Sequence, residues 1–126
     1  MSKLSYSCLI VDDIFMNRIL LKEILKGVCP LIYEADNGIN AIDLIRSKKV
    51  DLVFMDIEMP VMNGLETTKF IRNQLPFPLN EIPVIAITAY NPEDFFDDYK
   101  NAGFNQLLTK PYSFSKIQKV VTDLML

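Results

Sequence analysis

The sequence contains no histidine, and this absence narrows the chemistry that the chain can perform. Ser-His-Asp and Cys-His catalysis are excluded, and so is a phosphoryl group carried on a histidine of this chain. The two cysteines, Cys8 and Cys29, are not spaced as a CxxC pair. A zinc site would therefore need both cysteines together with carboxylates, which is an uncommon ligand set. We interpret the cysteines as reduced thiols in the core.

Long apolar stretches and strongly basic segments are missing as well. No run approaches the roughly 18 apolar residues of a membrane-spanning helix. The N-terminal segment MSKLSYSCLIVDD reaches acidic residues too early for a signal peptide. A net charge of −3, with no face rich in lysine or arginine, argues against a nucleic-acid partner. We therefore expect a cytoplasmic protein with no membrane segment, in which residues 1–126 form one domain.

Short apolar runs alternate with helical patterns along the chain. The runs of buried-strand length are Ser7–Val11, Leu31–Ala35, Leu52–Met55, Val84–Ile87 and Phe104–Leu108. Five helical patterns follow these runs in turn, and they include Leu21, Leu44, Leu65–Asn73, Tyr99 and Val121. This alternation predicts an α/β fold with a parallel sheet between two helical layers. The expected winding is the flavodoxin-like order 2-1-3-4-5, in which ligands bind beyond the carboxyl ends of the strands.

Polar residues stand at the carboxyl ends of four of the five predicted strands. In chain order they are Asp12 and Asp13, then Asp56, Thr88 and Lys110. The four strands are neighbours in the predicted order, so these side chains should meet at one edge of the sheet. The second strand instead runs into Asp36-Asn37-Gly38, a turn signal without a functional group in this interpretation.

Three carboxylates at one edge repel one another. Two unit charges about 4 Å apart cost about 4 kcal/mol at an effective dielectric constant near 20. A hard cation such as Mg²⁺ removes this cost, and it leaves coordination positions for phosphate oxygens. A carboxylate beside such a cation can also act as a nucleophile. Asp56, Lys110 and Thr88 therefore fit the nucleophile, the fixed cation and the hydroxyl donor of a phosphoryl transfer.

Four segments carry a resemblance to a known family. They are LIVDD (Leu9–Asp13), LVFMDIEMPVMNG (Leu52–Gly64), IAITAY (Ile85–Tyr90) and LLTKP (Leu107–Pro111). Together and in this order they resemble the response-regulator receiver domain of two-component signalling, over nearly the whole chain. The resemblance implies that Asp56 accepts a phosphoryl group from a phosphohistidine. The donor would be a histidine kinase or a histidine phosphotransfer protein.

The resemblance also implies roles for the neighbouring residues. Mg²⁺ would be held by Asp12, Asp13, Asp56 and the main-chain carbonyl of Glu58. Thr88 and Lys110 would bind the phosphoryl oxygens. Their movement would reshape the face formed by the fourth helix, the fifth strand and the fifth helix, where a downstream protein would bind. Such a domain catalyses its own phosphorylation and slow dephosphorylation, and the family often has a cis bond at the position of Lys110-Pro111.

One position departs from the family pattern. Receivers of this kind usually carry tyrosine or phenylalanine three residues before the lysine, whereas this chain has Leu107. An aromatic rotamer switch is therefore impossible there. The sequence does not predict how a change at the site would reach the surface instead. Glu58 and Tyr90 lie where receiver side chains can flank the phosphoryl group and change its lifetime. The sequence does not predict whether they lengthen or shorten it.

Other interpretations of these residues remain. Asp13 taken alone could cap the first helix. Loss of the aromatic residue keeps a pseudo-receiver possible, that is, a binding module that signals without phosphate. A phosphatase of the haloacid dehalogenase type is disfavoured, because its motif resembles DxDx[TV] whereas this chain reads Asp56-Ile57-Glu58-Met59-Pro60. We expect no output domain after the fifth helix, so the chain could be a standalone regulator or the receiver of a hybrid sensor kinase.

Overall fold

A five-stranded parallel sheet forms the centre of the structure, a computed structural model that describes residues 6–89 and 101–125. The strands are β1 (Ser7–Val11), β2 (Leu31–Ala35), β3 (Leu52–Asp56), β4 (Val84–Thr88) and β5 (Gln106–Thr109). The α-helices are α1 (Phe15–Leu25), α2 (Gly38–Ser47), α3 (Gly64–Gln74) and the C-terminal helix (Phe114–Met125), and a short 3₁₀ helix covers Leu79–Glu81. The strand order is β2-β1-β3-β4-β5. The predicted fold class and winding are confirmed.

The strands also follow the sequence pattern closely. β1 and β2 have the predicted bounds, while β3 and β4 each extend by one residue, to Asp56 and Thr88. The described residues contain four α-helices, against five expected from the sequence. The remaining predicted helix was assigned from Phe95, Tyr99 and Ala102, of which the first two lie outside the described residues.

Alternating side chains of the strands fill two separate cores, one on each face of the sheet. Cys8 and Ile10 of β1 belong to the first core, together with side chains from α1 and the C-terminal helix. Leu9 and Val11 belong to the second core, with side chains from α2 and α3. Because successive strand residues point to opposite faces, an unbroken apolar run supplies both cores at once. This burial fixes the positions at which the strands end.

The two cysteines form a disulfide, so the interpretation as reduced thiols is wrong. Both residues are buried in the first core, as expected. The turn after α1 brings Cys29 back onto the sheet, where its N–H donates to Leu25 O over 2.7 Å. The Cα atoms of Cys8 and Cys29 are 6.3 Å apart, which lies within the usual range for a disulfide. The two cysteines are 21 residues apart in the sequence, and that spacing does not predict that they lie close together in the fold.

Within residues 6–89 and 101–125, the peptide bonds Lys110-Pro111 and Phe77-Pro78 are cis. The first confirms the expectation drawn from the family resemblance. Among the described residues, none of the helices combines the length and the apolar character that crossing a membrane requires.

Candidate phosphoryl and metal site

The ends of the strands bring the predicted site residues together. Asp56 and Thr88 are the last residues of β3 and β4, and Asp56 is paired in register with Ile87. One carboxylate oxygen from each of Asp12, Asp13 and Asp56 lies within 4.8 Å of the other two. Lys110 follows β5, with its Nζ 3.7 Å from Asp56 Oδ1. The edge predicted from the sequence therefore holds the three carboxylates and the lysine in one place.

Asp56 lies in an unfavourable environment for a carboxylate. It is 2% exposed, and its Oδ1 accepts no hydrogen bond. The ion pair with Lys110 is too long to count as a hydrogen bond. Burial, followed by the charge of Asp12, raises the pKa of Asp56 to about 7; Lys110 opposes this rise, while Glu58 and Asp13 add to it. The structure thus holds a buried carboxylate whose charge is only partly compensated.

Asp12 is held in position by main-chain contacts on both sides. Its Oδ1 accepts a hydrogen bond from the Ile14 N–H at 2.9 Å. Its carbonyl oxygen accepts one from Arg18 Nη1 at 2.6 Å. The N-cap of α1 is Ile14, which makes no side-chain capping bond, and Asp13 is exposed. The interpretation of Asp13 as the helix cap is therefore wrong, and its carboxylate is available to the site.

The loop between β3 and α3 is fixed at both ends, which determines where Glu58 lies. The Ile57 N–H donates to Ile87 O of β4, and the Gly64 N–H donates to Ile57 O, each over 3.0 Å. A Cβ atom on Gly64 would collide with the carbonyl oxygen of Asp56, so only glycine allows α3 to begin this close to β3. Glu58 therefore stands directly beside the site.

Thr88 is fully buried at the end of β4 and contacts the site through its side chain. Its Oγ1 donates to Glu58 Oε2 over 3.4 Å. Its carbonyl oxygen accepts from the Lys110 N–H over 2.9 Å, which ties the ends of β4 and β5 together. The sequence placed Thr88 and Lys110 at the site, but it did not predict the contact between Thr88 and Glu58.

The position that departs from the family pattern is filled by an apolar contact. Leu107 packs beside Ile57 and Ala86, with Leu65 and Phe104 in the same small cluster. Leucine thus occupies the inward space near the end of β3 without an aromatic ring. Tyr90, the other residue that was expected to flank the site, lies outside the described residues.

Sequence reasoning missed an aromatic residue close to the site. Tyr112 follows the Lys110-Pro111 bond and packs against the first core. Burial raises the pKa of Tyr112 to about 12, and the charges of Asp12 and Asp56 add to this rise. The hydroxyl therefore lies within the electric field of the site carboxylates. The sequence indicated this position only weakly, because a tyrosine after Lys-Pro belongs to no motif or periodic pattern.

The start of α1 presents a second feature that the sequence analysis missed. Five large apolar side chains are exposed there, and we call them the α1 apolar surface: Ile14 (51%), Phe15 (60%), Met16 (66%), Ile19 (37%) and Leu20 (54%). Arg18 lies among them, with its guanidinium carbon 5.5 Å from the centre of the Phe15 ring. A sequence signal did exist, since apolar residues from Ile14 to Leu21 exceed what one buried helix face can hold.

The donor set suits a hard divalent cation. Carboxylate oxygens are the ligands that such cations prefer. A bound cation would give Asp56 Oδ1 the partner that it lacks, and a buried acceptor without a partner is costly. The residues of the site therefore fit a metal ion held by Asp12, Asp13 and Asp56.

Comparison with known proteins agrees with this geometry. The profile of the response regulator receiver domain matches residues 8–122. The chain belongs to this family. The polar-differentiation response regulator DivK of Brucella anthropi is 30% identical over 115 residues, which are 91% of this chain and 92% of DivK.

Two solved receiver structures are similar to this receiver. The receiver domain of the sensor histidine kinase PA1611 of Pseudomonas aeruginosa PAO1 is 26% identical, with a TM-score of 0.82 over 94% of this chain and 96% of that one; a magnesium ion is coordinated in its active-site cleft. The receiver domain of Saccharomyces cerevisiae Ssk1 was solved with the histidine phosphotransfer protein Ypd1. That structure is 26% identical, with a TM-score of 0.83 over 98% and 90% of the two chains. Curated relatives differ in length, and this chain spans from 6% to 94% of them.

Proposed function

We propose that residues 1–126 form one receiver domain that accepts a phosphoryl group on Asp56, with Mg²⁺ held by Asp12, Asp13, Asp56 and the main-chain carbonyl of Glu58. One observation carries the proposal. Asp56 is buried beside two other carboxylates and a lysine, yet its Oδ1 has no hydrogen-bond partner. Such an arrangement weakens a fold unless the site binds something that uses it.

The residues of the site divide the chemistry among them. A carboxylate oxygen of Asp56 attacks the phosphorus atom, the bond from phosphorus to the donor nitrogen breaks, and the donor imidazole keeps that electron pair. Lys110 and Thr88 then bind the phosphoryl oxygens through an ammonium group and a hydroxyl donor. Bound Mg²⁺ supplies positive charge against the carboxylates and the phosphoryl oxygens. The domain thus promotes its own phosphorylation and later hydrolysis, while acting mainly as a switch.

The phosphoryl donor must lie outside residues 1–126, because these residues contain no histidine. A histidine kinase or a histidine phosphotransfer protein fits, as for the Ssk1 receiver and Ypd1. We propose that such a partner covers the α1 apolar surface. That surface is continuous with the site through Ile14, whose N–H donates to the Asp12 carboxylate. A downstream protein would bind the face that includes β5 and the C-terminal helix. The location is expected to be cytoplasmic.

The direct test is phosphorylation by a small donor. The protein is incubated with Mg²⁺ and acetyl phosphate, and its intact mass is followed. We expect the gain of one phosphoryl group, which Asp56→Asn abolishes. Asp51→Asn is the matched control, because it removes a carboxylate at the opposite end of β3 and should leave the gain intact. A wild-type mass that does not change would favour a pseudo-receiver.

The partner surface is tested with the same readout and two donors. Phe15→Ser and Met16→Ser should slow transfer from a phosphorylated histidine phosphotransfer protein, by about tenfold or more if one apolar anchor is lost. Transfer from acetyl phosphate should not change. Leu31→Ser is the control, since Leu31 is 50% exposed at the start of β2. Equal losses with both donors would mean that the α1 variants damage the site itself.

A further inference from the structure

The hydrogen bond between Thr88 and Glu58 bears on how the site is switched. Thr88 Oγ1 donates its proton to Glu58 Oε2 over 3.4 Å. A hydroxyl has one proton to donate, so this proton cannot also be given to a phosphoryl oxygen beside Asp56. We propose that the Glu58 side chain is an autoinhibitory acceptor, which holds Thr88 away from the phosphoryl position until Asp56 is phosphorylated. The inference depends on the proposed function and adds a regulatory contact to it.

The contact is built so that it can break. At 3.4 Å it is longer than the 2.5–3.0 Å of strong hydroxyl hydrogen bonds. The two partners also differ in exposure, since Thr88 is fully buried whereas Glu58 is exposed and can return to water. Releasing Glu58 therefore costs little solvation, and the Thr88 hydroxyl proton can then be given to an acceptor that carries more charge. A phosphoryl oxygen on Asp56 is that acceptor.

Charge drives the exchange in the same direction. Glu58 already lies close enough to the site for its carboxylate to raise the pKa of Asp56. A phosphoryl group adds negative charge at the same place, so it repels the Glu58 carboxylate more strongly. Thr88 is also joined to the end of β5, because its carbonyl accepts from the Lys110 N–H. A change at Thr88 can thus reach β5 although Leu107 provides no aromatic switch.

A double-mutant cycle tests the proposal with acetyl phosphate and Mg²⁺. Glu58→Ala should increase the rate of phosphorylation by about threefold to tenfold, the range expected when one competing hydrogen bond is removed. In the Thr88→Val background the same change should have no such effect, because the hydroxyl that Glu58 holds is gone. Asp43→Ala is the matched control, since Asp43 is an exposed carboxylate on α2; it should leave the rate unchanged.

A second measurement follows Thr88 itself. In protein with labelled threonine methyl groups, Glu58→Ala should move the Thr88 methyl resonance toward its position in the complex with Mg²⁺ and beryllofluoride, a phosphoryl mimic. A resonance that does not move, or a Glu58→Ala effect that persists without the Thr88 hydroxyl, would overturn the proposal and leave the phosphoacceptor role standing. A wild-type protein that gains no phosphoryl group would instead remove the proposed function, and this inference with it.

Discussion

The two ends of the sheet treat their charged groups in opposite ways. At the amino ends, the Asp51 carboxylate accepts a hydrogen bond from the Ser7 N–H at 2.9 Å. At the carboxyl ends, Asp56 closes the same strand, β3, with an oxygen that accepts none. Two neutral groups of the described residues share that condition, Thr68 Oγ1 and Asn80 Oδ1. Of the carboxylates at the two ends of β3, only the one at the site has a buried oxygen without a hydrogen-bond partner.

A half-buried cation at the amino ends is hydrogen-bonded through each of its nitrogens, in the same way as the Asp51 carboxylate is satisfied. Arg72 of α3 donates from Nε to Gly103 O, from Nη1 to Asn80 O and from Nη2 to Asn105 Oδ1, over 2.9–3.0 Å. Asn105 Oδ1 also accepts from the Val84 N–H at 2.8 Å. This fold therefore provides hydrogen-bond partners for charged groups that lie away from the site. The difference supports the proposal that the carboxyl-end charges serve a bound ligand, and it can be measured as a difference in stability.

The largest expected effect is stabilisation of the metal-free protein by Asp56→Asn. Since each pKa unit is worth about 1.4 kcal/mol, a pKa of about 7 against the ordinary 3.8 corresponds to about 4 kcal/mol. The folded pKa is raised, so the folded state binds the proton more tightly than the unfolded state. The penalty is absent below about pH 4 and grows until about pH 7. Asp56→Asn should raise the free energy of unfolding by up to about 4 kcal/mol at pH 8.

Urea unfolding in chelator, at pH 8 and again near pH 4, measures this prediction. The gain from Asp56→Asn should disappear at the lower pH. Asp51→Asn is the paired control at the amino ends, and it should lower stability by about 1 kcal/mol, because a satisfied acceptor is weakened. If both variants change stability in the same direction at pH 8, the contrast between the two ends is wrong.

The next largest effect is expected from Arg72→Met at the amino ends. This change removes the donor to the carbonyls of Gly103 and Asn80 and one of the two donors to Asn105 Oδ1, and it should lower the free energy of unfolding by about 3 kcal/mol. Arg46→Met is the control, because Arg46 is exposed on α2 and stacks only on Phe70. Phosphorylation of Asp56 by acetyl phosphate, assayed below the melting temperature, should stay unchanged in both. If Arg72→Met alone lost phosphorylation, the amino ends of the sheet would affect the site at the carboxyl ends, and the prediction would be wrong.

The sequence predicted the strands and the site edge because both follow from local patterns. Apolar runs locate the strands, and in a parallel sheet all their carboxyl ends meet at one edge. Asp12, Asp56, Thr88 and Lys110 could therefore be placed together before any contact was known. A local pattern gives the position of a residue along its strand. That information was enough to identify the residues of the site.

Contacts between side chains distant in sequence could not be predicted in this way. The disulfide depends on how the turn after α1 folds back onto β1, and no spacing encodes that path. The bond from Thr88 to Glu58 depends on the direction of the loop after β3, which Gly64 fixes by its close approach to Asp56. These contacts depend on loop paths rather than on periodicity.

Magnesium should stabilise the carboxyl end with a somewhat smaller effect. A ligand that binds only the folded state adds about 2.7 kcal/mol when present at 100 times its dissociation constant. Wild-type protein should therefore melt at a higher temperature in saturating Mg²⁺ than in chelator, while Asp56→Asn should respond much less. Asp51→Asn should respond like the wild type, since it lies at the other end of β3. A wild-type melting temperature and spectrum that ignore Mg²⁺ would argue against a metal site altogether.

The smallest effects are expected from the two carboxylates that precede α1. Without metal, Asp12→Asn should raise the free energy of unfolding by about 1 kcal/mol, because it removes one repulsion from Asp56 and keeps an oxygen for the Ile14 N–H. Asp13→Asn should raise the melting temperature less, since Asp13 is exposed and water screens its charge. Added monovalent salt separates the two: at about 1 M the Debye length is about 3 Å, so the gain from Asp13→Asn should vanish while that from buried Asp12→Asn persists. If neither variant gains stability at low salt, the site carboxylates do not repel one another enough to matter, and the raised pKa of Asp56 comes from its burial alone.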